Sequence, residues 1–201
     1  MQTKTISESE NLYRWGYWCA YGNPRVRDRK KAFEYWNRAA NQGHVGAKFF
    51  IGTCYDFRIG TKRNLKFAKK WYEKAARSGH ETAQYNLGFM YREGIGVRKD
   101  LRKAVKWFKA AALQGDPDAQ RDLGYSYHEG KGVKKNFEKG FYWYSKAAKK
   151  NDSKAQWNFA LCYLEGDGIK PSEKKAKFWL KKAAENGHKE AKAKLKSYKG
   201  S

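Results

Sequence analysis

Residues 87–112 read LGFMYREGIGVRKDLRKAVKWFKAAA, and their spacing decides the fold. Ala104, Trp107, Phe108, Ala111 and Ala112 fall at i, i+3, i+4, i+7 and i+8, which is one apolar stripe of an α-helix. Asp100 lies just ahead of that helix and can cap its N-terminus through a side-chain oxygen. Gly115 lies just past it, where glycine adopts the left-handed conformation that ends a helix. Upstream, Leu87-Gly88 and Tyr91 belong to an earlier helix, and Gly94-Ile95-Gly96-Val97 forms the loop between the two.

This pattern recurs along the whole chain. Ala39-Ala40, Ala75-Ala76, Ala111-Ala112, Ala147-Ala148 and Ala183-Ala184 are each 36 residues apart. Caps recur at Asp28, Asn64, Asp100, Asn136 and Ser172, and stops at Gly43, Gly79, Gly115, Asn151 and Gly187. The first helices carry Ile51-Gly52, Leu87-Gly88, Leu123-Gly124 and Phe159-Ala160, each followed by a tyrosine at 55, 91, 127 or 163. Glycine inside a helix costs roughly 1 kcal/mol relative to alanine, so its recurrence predicts that another helix backbone passes close by. The loops Gly130-Lys131-Gly132-Val133 and Gly166-Asp167-Gly168-Ile169 repeat Gly94–Val97, whereas the first unit has Gly22-Asn23-Pro24 and the second has Arg58 at its leading glycine. Self-similarity at a fixed step is the signature of a stacked-repeat solenoid, in which each unit leans on its neighbours.

The 36-residue unit resembles the Sel1-like repeat, a relative of the tetratricopeptide repeat. The likeness rests on Leu-Gly then Tyr in the first helix, Gly-x-Gly-Val in the loop, and Lys-Ala…Trp-Tyr/Phe…Ala-Ala in the second. It implies an all-α right-handed superhelix of five antiparallel helix pairs closed by a terminal helix. A polar segment is expected over 1–10 and one repeat domain over 11–199. Its units are expected at about 11–46, 47–82, 83–118, 119–154 and 155–190. The terminal helix at about 191–199 shows a polar face with Lys192, Lys194, Lys196 and Lys199.

Forty-four Lys and Arg against 20 Asp and Glu give a net charge of +24. Such an excess favours acidic partners, whether nucleic acid, anionic membrane or acidic protein. The charge is spread over the units as +4, +6, +3, +5 and +2, with +4 after residue 190, as expected of a solvated face that repeats with the fold. No apolar run approaches the 18 residues a membrane span needs. Met1 to Glu10 lacks the apolar stretch of a secretory signal, so a cytoplasmic location is expected, with signal-independent export left open. Cys19, Cys54 and Cys162 are expected to be reduced and buried.

Little in the chain points to catalysis. The Gly-x-Gly loops lack Gly-Lys-Ser/Thr and the dinucleotide spacing, so they read as turns. His44, His80 and His188 share one repeat position and His128 stands elsewhere, without a His-Glu-x-x-His or Cys-x-x-Cys motif. No metal, cofactor or catalytic residue is assigned, and a non-enzymatic protein is expected.

In related helical repeats the first helices line the concave face and contact ligands. The resemblance places Tyr13, Arg14, Tyr17, Phe49, Phe89, Arg92, Arg121, Tyr125, His128 and Trp157 there. Aromatics mixed with arginine suit a recognition groove, since such residues dominate interface hot spots. The first reading is therefore a scaffold or adaptor holding a peptide or acidic protein segment, with a monomer expected. The second is RNA or DNA binding through a basic convex face, whose second-helix lysines include Lys66, Lys70, Lys106, Lys109, Lys146 and Lys182. Arg25, Arg27, Arg29, Lys30 and Lys31 are candidate anion contacts. The stacking aromatics are expected mainly on the concave face and the lysines on the other, which ranks this reading second.

Overall fold

A computed structural model describes residues 6–198, which form eleven α-helices and no strand. The chain divides into two compact units, Met1–Lys99 and Asp100–Ser201. The first holds α1 (Glu8–Tyr21), α2 (Arg29–Asn41), α3 (Val45–Phe57), α4 (Leu65–Arg77) and α5 (Glu81–Glu93), with a 3₁₀ turn at Pro24–Val26. The second holds α6 (Leu101–Gln114), α7 (Pro117–Glu129), α8 (Phe137–Ala148), α9 (Ser153–Glu165), α10 (Glu173–Glu185) and α11 (Lys189–Ser197). Within each unit every helix packs on the next in sequence, as a helical repeat requires. No described helix is long and apolar enough to cross a membrane.

Helix starts follow from local chemistry. Asp28, Asn64, Asp100, Asn136 and Ser172 all accept the backbone N–H three residues on, at 2.7–3.4 Å. Four of them are also tied back to the preceding helix: the N–H groups of Asp28, Asn64, Asn136 and Ser172 donate to the carbonyls of Cys19, Tyr55, Tyr127 and Tyr163. Asn151 takes φ 65° where the other stops are glycine, and Arg58 takes φ 62° at the leading loop glycine's place. The loop thus keeps its shape in the second unit of the repeat at the expense of a side chain in the left-handed region.

The stripe positions form the core: Ala68, Tyr72, Ala75 and Ala76 on α4 are buried, as are Ala104, Phe108, Ala111 and Ala112 on α6. The first-helix glycines serve a purpose other than backbone approach. A Cβ on Gly16, Gly52 or Gly124 would stand 2.5–2.7 Å from the ring of Trp36, Tyr72 or Tyr144 on the following helix. Large rings, not a helix backbone, fill that space. Where the ring is replaced by Leu180, the facing residue is Ala160, and the two pack in one cluster.

Two boundaries differ from the sequence reading. α1 begins at Glu8, inside the stretch set apart as a polar segment, because Ser7 caps it by accepting from Glu10 N–H at 3.2 Å. α11 ends at Ser197; it buries Ala191 and packs Leu195 and Tyr198 on Ala160, Leu180 and their neighbours, leaving Lys192 and Lys196 exposed. Lys199 lies outside the described residues.

Candidate functional site

The first-helix row splits into residues that hold the framework and residues that face solvent. Tyr13 stacks on His44 at 4.3 Å, Phe49 on His80 at 4.4 Å and Trp157 on His188 at 5.1 Å. Each histidine caps the next first helix, its Nδ1 accepting from the N–H of Ala47, Ala83 or Ala191. An accepting Nδ1 leaves the proton on Nε2, so His44 donates from Nε2 to Glu10 at 3.0 Å. His44 and then Arg14 hold the Glu10 carboxyl below the usual carboxylate range. Burial pushes the imidazolium form of His80 down.

Arg121 does the same work with charge. Its Nη1 donates to Asp152 at 2.7 Å and to Asp118 at 2.6 Å, and its Nε lies 3.3 Å from Asp122. Asp152 caps α9 through its other oxygen, accepting from Ala155 N–H at 2.6 Å. Burial opposes the charge of Arg121, but Asp122 and Asp152 more than offset it and hold the guanidinium above its ordinary value. Tyr13, Phe49, Arg121 and Trp157, all expected in a ligand groove, are therefore packed on helix caps. The overlooked signal is a pairing at fixed separation: 13 with 44, 49 with 80 and 157 with 188 set an aromatic against His, 121 with 152 sets Arg against Asp, and 85 with 116 sets Tyr against Asp.

His128 is also engaged, its Nε2 2.7 Å from Asp167 and its Nδ1 2.9 Å from Glu129. The remaining candidates reach solvent. Arg14 is exposed beside Glu10, Tyr17 packs ring to ring with Tyr21, and Tyr125 carries Lys131 over its ring at 4.6 Å. Arg92 lies 4.9 Å over the exposed Phe89 ring and pairs with Glu93 at 2.6 Å. Arg25, Arg27, Arg29, Lys30 and Lys31 are exposed, with Lys31 3.8 Å from Asp28.

Phe89 borders a hollow of about 380 Å³ in the first unit, lined by Asp56, Phe57, Arg63, Tyr85, Asn86, Met90 and Ile95 as well. Phe57, which the sequence reading passed over, is 67% exposed at its rim. Asp56 accepts from the Tyr72 hydroxyl at 3.4 Å and lies 3.9 Å from Arg63; burial pushes its carboxyl up despite that cation. The hollow therefore offers apolar walls with one half-buried acid and a guanidinium at its edge. A second hollow of about 450 Å³ runs along α1 past Tyr13, Tyr17, Trp18 and Tyr21.

Other chemistries find little footing. Cys19, Cys54 and Cys162 are buried free thiols, and burial pushes Cys54 and Cys162 up to about 12, far from thiolate at neutral pH. The described residues hold no cluster of three or more His, Cys, Asp or Glu that could bind a metal. The expected separation of aromatics from lysines fails on the second helices, where Phe67, Tyr142 and Phe178 are exposed beside Lys70, Lys146 and Lys182. These rings sit outside the apolar stripe, so the helix turns them to solvent with the lysines.

A family model described as Sel1 repeat matches residues 12–44, 45–80, 82–116, 117–152 and 153–188. A crystal structure of a Sel1 repeat protein from Oxalobacter formigenes is 34% identical with a TM-score of 0.84, over 90% of this chain and 74% of that one. The protein c5321, a protective antigen present in uropathogenic Escherichia coli strains, is 30% identical with a TM-score of 0.70 over 92% of this chain. The alignment spans 47% of c5321, about half its length. None of the curated protein sequences matches the chain.

Proposed function

Since this chain belongs to the Sel1 repeat family, whose members generally serve as protein–protein interaction scaffolds and are generally non-catalytic, we propose that it is a non-enzymatic adaptor. In this reading its first-helix face holds a peptide or an acidic protein segment. The hollow beside Phe89 carries the proposal. Its volume of about 380 Å³ lies at the low end of the roughly 300–1,000 Å³ typical of binding pockets. Phe57, Phe89, Met90 and Ile95 supply apolar walls for one large side chain of the partner. Arg63 at the hollow and Arg92 on the Phe89 ring supply guanidinium groups for flanking carboxylates. Within the same unit Arg14 and Tyr17 are further solvent-facing first-helix residues, and in the second unit Tyr125 is open in the same way.

Selection from a random-peptide display library on the immobilised protein tests this. Enriched peptides are expected to carry a large apolar residue flanked by Asp or Glu. Phe89→Ser and Arg92→Gln are each expected to weaken them about tenfold, the loss of about 1.4 kcal/mol. Equal binding by both variants, with helical content intact, would remove the hollow from the proposal.

A further inference from the structure

We propose that the exposed face of α8 and α10 binds single-stranded nucleic acid, with Tyr142 and Phe178 as platforms on which bases stack. The two rings occupy the same repeat position, 36 residues apart, and are 50% and 53% exposed. Each is held by the same device. The neighbouring tryptophan meets it nearly edge-on: Trp143 at 5.1 Å and 81°, Trp179 at 5.4 Å and 87°. The lysine one turn later lies over it, Lys146 at 5.4 Å and Lys182 at 5.9 Å. A ring oriented from two sides yet open to solvent loses little freedom when a base stacks on it, and any base has a face to offer.

Charge completes the arrangement. Lys149 follows Tyr142 on the same helical stripe, and exposed Lys174 and Lys181 lie one turn either side of Phe178. Lys146, Lys149, Lys174 and Lys182 make no ion pair with a carboxylate among the described residues, so their charge is available to a phosphate backbone. Glu138 and Glu185 are the acids on these stripes, and Glu185 is engaged with Lys181 at 4.0 Å. A bilayer would need a continuous apolar patch, whereas each ring here is bracketed by lysine. Single-stranded nucleic acid supplies both spaced negative charge and flat apolar faces, and so matches the alternation best.

Fluorescence anisotropy with labelled oligo(dT) of about 20 nucleotides, titrated with the full chain across a salt series, reads this directly. The double variant Tyr142→Ser/Phe178→Ser should weaken binding by roughly tenfold per ring without changing the salt slope. Lys146→Gln/Lys182→Gln should instead lower the slope by about 1.4. A duplex of the same length should bind more weakly than the single strand near physiological salt, and Phe89→Ser should leave oligonucleotide binding unchanged. Wild-type affinity in the aromatic double variant, with helical circular dichroism intact, would reduce the interaction to bulk charge and overturn the proposal. So would loss of all binding near physiological salt. Capture of phosphatidylserine vesicles that depends on the two rings, without such dependence for oligo(dT), would reassign the face to membrane.

Discussion

Phe49–His80 in the first unit and Arg121–Asp152 in the second perform one task with opposite chemistries. Both join a first helix to the cap of the next, 31 residues on, counting 80 less 49 and 152 less 121. The first junction is a stack of flat rings at 4.4 Å, with the cap nitrogen accepting from Ala83. The second is a guanidinium held by three aspartates, one of which is the cap. What the fold keeps at these positions is a side chain on the cap of the next helix, and the type of contact can change from ring stack to ion pair, with Tyr85 and the Asp116 cap a mixed combination at the same step. A row of residues that varies from unit to unit therefore need not be varying for a ligand.

The largest test breaks the ionic junction. Arg121→Ala leaves Asp118, Asp122 and Asp152 facing one another, two of them with side chains no more than 13% exposed. A loss of about 3 kcal/mol is expected in urea unfolding. Arg121→Phe/Asp152→His, which imports the ring pair of the first unit, should recover most of it. A double variant no more stable than Arg121→Ala would mean that the two junctions are not interchangeable.

A second exchange concerns the core. Gly124→Ala puts a methyl 2.7 Å from the Tyr144 ring and should cost about 2 kcal/mol. Adding Tyr144→Leu reproduces the Ala160/Leu180 combination and should return part of that cost, so a simple sum of the two single effects would contradict the pairing.

Acid should separate the junctions further. Burial holds the folded pKa of His80 below its ordinary value, so the folded state binds fewer protons than the unfolded. Its contribution is complete above about pH 6.5 and is lost as pH falls through the lower folded value. Protonation also removes the acceptor from Ala83 N–H, a cap contact of about 1 kcal/mol. Phe49→Arg/His80→Asp should therefore lose less stability than wild type between pH 7.5 and 5, as read from urea midpoints. The smallest effect is local: Arg58→Gly removes a side chain from φ 62° and should raise stability by roughly 0.5–1 kcal/mol. A lower melting temperature in that variant would show that Arg58 contributes more than backbone shape.

Much of the architecture was legible because it is local and repeated. The 36-residue step, the second-helix caps from Asp28 to Ser172 and the stops at Gly43, Gly79, Gly115, Asn151 and Gly187 all act within one or two turns of chain. The structure finds each in that role. The histidine caps were harder to read, because histidine is not among the usual capping residues and its Nδ1 serves only when Nε2 holds the proton. The buried glutamines were missed as well. Gln84, Gln120 and Gln156 donate to the carbonyls of Ala76, Ala112 and Ala148 and close the ends of the preceding helices.

Taken alone, the sequence determined that this is an all-α repeat protein, where its second helices start and stop, and which stripe they bury, because helical period and end-capping are properties of neighbouring residues. Only the tertiary structure decided which first-helix side chains are engaged and which are open. Tyr13, Phe49, Arg121 and Trp157 were indistinguishable from Tyr17, Phe89 and Tyr125 until the partners 31 residues away were in place. It also decided that Tyr142 and Phe178 stand among lysines, since a side chain's exposure depends on what packs over it and not on its own type.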